Sequence, residues 1–173
     1  MKVLMIFDQI QAGMGGKERS DLPPGGKKGS IGSAPMIEPH LKNVDGEIIA
    51  CLYCGNDYFK ENEEVVTKKM TAMVKKINPD VVICGPAYNY KGYAYMCAVI
   101  GKNLKDKTDI PVVAAMSKEN EDIISEYKDA LHIVKMPKKG GIGLSESLNN
   151  ICVLARKMFD KKDIEELAKK ICY

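Results

Sequence analysis

The 173 residues suffice for one compact domain and leave little room for a second. Hydrophobic residues make up 45% and charged residues 28%, ordinary globular usage that excludes disorder. The net charge is only +3, residues 1–89 carry eleven charges of each sign, and aromatics are 6% with no Trp, so neither the basic footprint nor the stacking residues of a nucleic-acid binder are present.

Five short runs rich in Val and Ile read as buried strands, over residues 2–7, 47–54, 80–84, 110–116 and 131–136. Helical patterns alternate with them. The first, over 62–77, places Val66, Met70, Met73 and Ile77 at helical spacing and ends at Asn78-Pro79. Others follow over 93–104, 121–130 and 145–159, and a terminal helix follows Asp163, with Ile164, Leu167, Ala168 and Ile171 on one face. This alternation predicts a single α/β domain over 1–173, three layers around a five-stranded parallel sheet, flavodoxin-like (order 2-1-3-4-5) or Rossmann-like. Residues 8–45 break the alternation. They hold seven of the fifteen Gly and four of the eight Pro, with room only for a short helix over 34–42, and so read as a long functional loop.

No run approaches 18 apolar residues, so no segment is expected to span a membrane. The N-terminus turns acidic at Asp8, too soon for a signal peptide. A cytosolic chain follows as the expectation, with Cys51, Cys54, Cys84, Cys97, Cys152 and Cys172 as reduced thiols.

Ligands of doubly wound sheets sit beyond the C-terminal strand ends, where the strand order reverses. Three loops are expected to converge there. The first spans 8–32 and carries Gly15, Gly16, Glu18 and Asp21. The second follows the strand ending at Cys54 and carries Asn56, Asp57 and Tyr58. The third spans 85–93 and carries Tyr88, Asn89 and Tyr93. Such residues orient small polar ligands, and Glu18 and Asp21 could flank a cation. The same glycines also suit plain turns, and the same carboxylates a solvated surface. The segment 26–32, GKKGSIG, lacks P-loop spacing, and no GxGxxG follows the first strand. A second basic loop over 138–143 precedes Ser145, which suits either an anion at a helix start or a plain N-cap.

Among the thiols, Cys152 shares a helical face with Leu148, Ile151 and Ala155, and Cys172 is near the terminus. Cys54 ends a strand, where its sulfur could point into the site, and is the leading functional thiol; Cys84 and Cys97 stand behind it. Cys51 and Cys54 are three apart in a strand and face opposite ways, so neither a disulfide nor a zinc site is expected. His40 and His132 are isolated, and no metal is expected.

The strings GGKERSDLPP (15–24), CGNDYFKEN (54–62), PDVVICGPAYNYKGYAYMCA (79–98) and IPVVAAMSKEN (110–120) resemble the N-terminal half of selenoprotein B, component B of the glycine/sarcosine/betaine reductases of amino-acid-fermenting anaerobes. The positions matching that family are Gly15, Gly16, Glu18, Asp21, Cys54, Gly55, Tyr58, Phe59, Gly85, Pro86, Asn89, Tyr93 and Cys97. Asn56-Asp57 stands in inverted order relative to the family pattern, Tyr88 replaces a Phe, and Lys91-Gly92 inverts a Gly-Arg. The family's second half, with its selenocysteine, has no counterpart here.

The resemblance implies a subunit or split half of such a reductase, an oxidoreductase that cleaves a C–N bond of an amine or amino acid. The chain would contribute a substrate pocket and a thiol, Cys54. It implies other reductase subunits as partners, one carrying the selenocysteine or thiol redox group, and no cofactor in this chain. The alternative is a non-catalytic flavodoxin-like binding or scaffold module that has lost the redox half; a flavin-binding electron carrier is a weaker third. An open-edged α/β domain also allows homo-oligomers.

Overall fold

A computed structural model describes residues 1–173. Six strands form one sheet: β1 (Lys2–Asp8), β2 (Gly25–Lys28), β3 (Glu47–Cys54), β4 (Val81–Cys84), β5 (Val112–Ser117) and β6 (His132–Met136). Their spatial order is β2-β3-β1-β4-β5-β6. The five expected strands are present and parallel, and each is largely apolar because helices cover both faces of the sheet. In β1 every residue from Val3 to Asp8 is buried.

The sheet has six strands, not five, because β2 pairs antiparallel with the outer edge of β3. This strand lies inside the long loop and reads Gly-Gly-Lys-Lys. It carries no strand propensity of its own; pairing with the formed edge of β3 holds it. The remainder of the segment makes a short 3-10 turn over Ala34–Met36 and the helix α1 (Glu38–Lys42).

The other helices are α2 (Asn56–Glu61), α3 (Glu63–Ile77), α4 (Lys91–Lys107), α5 (Glu121–Tyr127), α6 (Leu144–Phe159) and α7 (Glu165–Ile171). Helices α2 to α5 pack among themselves, and α1 and α7 pack on α6, giving a helical layer on each side of the sheet. One contiguous apolar cluster runs through all three layers.

Several helix boundaries depart from expectation: α4 runs on to Lys107 and α5 stops at Tyr127. The turn after Cys54 is the helix α2, held down by buried Phe59. Helix α4 starts two residues before Tyr93, so that Tyr93 lies inside it. Helix α6 is entered at Gly143, in the left-handed region at φ +89°, and Ser145 makes no capping bond.

Candidate functional site

The three loops expected to converge do meet, at the C-terminal end of β1. A cleft of about 320 Å³ opens there, lined by Asp8, Gln9, Ile10, Lys17 and Ser20 from the first loop, Asn56 and Asp57 from the start of α2, and Tyr90, Lys91 and Gly92 from the start of α4.

Asp8 is the last residue of β1, and the strand carries its carboxyl group out of the apolar sheet centre into the cleft. Only 1% of its surface is exposed. Its Oδ1 accepts a hydrogen bond from the Gln11 N–H at 2.7 Å, and its Oδ2 one from Asn56 Nδ2 at 3.2 Å. Burial pushes its pKa above the ordinary 3.8, and these neutral donors offset the loss of hydration only in part. Lys139, from the loop after β6, is the basic group that acts on it.

Asn56 is fixed from two sides. Its Nδ2 donates to Asp8, and its backbone N–H donates to Gln9 Oε1 at 3.1 Å. Its Oδ1 is buried and has no hydrogen-bond partner.

A close backbone approach ties the first loop onto α2. The Ser20 carbonyl accepts the N–H groups of Asp57 and Tyr58, each at 3.0 Å, and the Leu22 carbonyl accepts that of Gly55 at 2.8 Å. Ser20 Oγ adds a bond to Asp57 Oδ2 at 2.5 Å. Gly55 makes this approach feasible, since a Cβ there would lie 2.2 Å from the Ser20 carbonyl oxygen.

Of the residues expected at the site, Asn56 and Asp57 line the cleft. Gly15, Gly16 and Glu18 lie on the same loop outside the lining: the Gly16 N–H donates to Glu18 Oε1 at 2.7 Å and holds that exposed carboxylate below its usual range. Asp21 is exposed, and Tyr58 rests half-buried against the core.

Two tyrosines turn inward. Tyr93 is fully buried, donates its hydroxyl to the Ile6 carbonyl at 2.8 Å, and pins α4 to β1. Tyr88 is 4% exposed, and its carbonyl accepts from the Ser117 N–H and from Asn120 Nδ2. Asn89 is exposed and accepts the Lys139 N–H at 3.1 Å, which brings the basic loop over 138–143 to the rim.

Cys54, the thiol expected to point into the site, does not line the cleft. Its sulfur donates to the Leu22 carbonyl at 3.6 Å, its surface is fully buried, and burial pushes its thiol up to about 12. Cys84 and Cys97 are fully buried as well; Cys84 is pushed up to about 12 and Cys97 well above the usual thiol value. The thiolate, not the thiol, is the nucleophile, and burial in apolar surroundings suppresses it.

Asp8, Gln9, Lys17, Ser20, Tyr90 and Lys91 line the cleft without having been singled out. For Asp8 a signal was available: one carboxylate closes the apolar run Val3–Phe7 at the sheet end where ligands of such folds bind. The others sit on the flagged loops among equally polar neighbours, with nothing local to separate them.

Fold and cleft together define an α/β protein with a small cleft, lined mainly by polar residues, at the C-terminal end of its β1 strand. The chain belongs to the glycine/sarcosine/betaine reductase selenoprotein B family, whose profile matches residues 1–172. It is 29% identical over 163 residues, 94% of its length, to the glycine reductase complex component B subunit gamma of Carboxydothermus hydrogenoformans. Over 75% of its length it is 31% identical to the sarcosine reductase complex component B subunit beta of Peptoclostridium acidaminophilum, and over 73% it is 32% identical to that organism's glycine reductase complex component B subunit gamma. The chain spans 37% of the first of these relatives and 29% of each of the other two. No solved structure matches it.

Proposed function

We propose that this chain is the substrate-binding part of a glycine/sarcosine/betaine-type reductase complex. Its cleft receives a small amino acid and holds the cationic nitrogen beside the Asp8 carboxylate. The observation that carries this reading is Asp8 itself. A carboxylate buried to 1% and bonded only by neutral donors is poised for a cation. Exposed Lys17 lines the same cleft and offers a counter-charge to the ligand's carboxylate. In the flavodoxin-like order proposed for the five parallel strands, this is the topological switch point.

The chain's part in reductive C–N cleavage is then binding and orientation, while partner subunits bring the redox group that attacks the substrate. The thiols of this chain serve packing. That same burial favours a second reading, a binding module without a reductase partner. Co-purification of a redox-active subunit with the full chain from native cells separates the two.

The test is calorimetric titration of the full chain with glycine and with sarcosine, repeated on Asp8→Asn. Saturable binding weakened about tenfold or more by Asp8→Asn is expected, the scale of losing a charge-assisted hydrogen bond. Binding that ignores the substitution would remove Asp8 from the site.

A further inference from the structure

We propose that the cleft selects amines that carry an N–H, such as glycine or an N-methyl amino acid, against a quaternary ammonium, and that Asn56 is the specificity-determining residue. This rests on the reading of the cleft as an amino-acid site. The amide of Asn56 has a forced orientation: its donor end is committed to the Asp8 carboxylate, an acceptor, so its oxygen is the end left over. That Oδ1 is buried and unpartnered, 3.7 Å from where a Cβ on Gly92 would stand, so it lies beside the cleft wall that Gly92 forms.

A buried acceptor without a donor is costly, and a ligand that supplies the donor removes that cost. With a small shift of Gly92, which packs against the Asn56 side chain, a primary or secondary ammonium can direct an N–H to Asn56 Oδ1 and place its charge against Asp8, which the protein supplies only with the neutral donors Gln11, Asn56 and Ile10. A quaternary ammonium has no N–H to give. It leaves Oδ1 unpaired and presses methyl groups against amide and carboxylate. Sites for such cations are built from several aromatic faces, whereas Tyr90 is the one aromatic residue of this lining, and its ring already faces Lys139 Nζ at 5.8 Å.

The experiment is calorimetric titration of the full chain with glycine, sarcosine, N,N-dimethylglycine and betaine, four ligands that share a carboxylate and a cationic nitrogen. Only betaine lacks an N–H. Betaine is expected to bind at least about tenfold more weakly than glycine, and Asn56→Ala to bring glycine down close to betaine. Equal affinity for glycine and betaine in the unsubstituted protein would overturn the inference while leaving the amino-acid site standing. Absence of binding by all four would overturn the reading of the cleft, and the inference with it. The comparison among ligands needs no variant, so it holds whether or not Asn56→Ala folds.

Discussion

The carboxyl group of Asp8 loses nearly all contact with water, and two neutral donors replace only part of its hydration. Burial therefore raises its pKa above 3.8. For folding, a raised carboxylate favours the native state fully below the unfolded value, and that advantage is lost as pH rises through the native value. For binding the sign reverses. A cationic ligand needs the ionised form, so ligand affinity rises with pH as Asp8 ionises. Between about pH 4 and 8 a free amino acid keeps both its charges, so the change belongs to the protein. Titrations across that window are expected to show affinity falling toward the acid end, with the slope absent in Asp8→Asn; a flat profile in the unsubstituted protein would exclude Asp8 as the cation's partner. The residue-scale part of the site was thus only half legible. Asn56 and Asp57 were readable because a polar pair follows a buried strand. Tyr88 and Tyr93 are buried outside the cleft lining, and a tyrosine in a loop and a tyrosine packed under it look alike in sequence; for Tyr93 the Ile6 carbonyl at its hydroxyl marks the packed role.

At the scale of elements, legibility follows burial. Strands β1, β3, β4, β5 and β6 and the longer helices bury apolar faces of their own, so their residues announce them. Strand β2 and helix α2 do not. The Gly-Gly-Lys-Lys of β2 is a strand only because β3 offers an edge, and six-residue α2 is held by Phe59 and by the carbonyls of the first loop. The joint between that loop and α2 depends on one missing side chain. Gly55 has φ −69°, open to any residue, so its requirement is steric. A methyl group there would meet the Ser20 carbonyl oxygen at 2.2 Å and the Leu22 nitrogen at 2.6 Å, both backbone atoms that cannot rotate away. Gly55→Ala is expected to lose about 1–3 kcal/mol of stability by urea denaturation. It should also weaken ligand binding, because Lys17 and Ser20 move with the loop. An unchanged denaturation midpoint would show that the loop is free to lift from α2.

For the whole molecule, the two sheet edges and the six thiols bear on what a partner can meet. The edge at β6 is covered in part by the chain end, where Val134 bridges Cys172 and the Tyr173 N–H donates to the Ile133 carbonyl. The edge at β2 carries Lys27 and Lys28, charges that discourage strand-to-strand association between copies. All six cysteines are buried. Burial pushes Cys51 and Cys172 up to about 11 and Cys54, Cys84 and Cys152 up to about 12, leaving on the order of one thiolate in ten thousand or fewer at neutral pH. Reaction of the native protein with an aromatic disulfide reagent at neutral pH is therefore expected to release less than one equivalent quickly, against six in denaturant. One fast equivalent mapped to Cys54 would return that thiol to the chemistry and make this chain a redox participant. A slow native reaction instead removes these thiols from the chemistry, as the proposed function expects. On the proposed function the nitrogen is held inward at Asp8, so the partner's group approaches over the exposed rim, and Lys17, Asp57 and Lys91 form the surface that the partner has to fit.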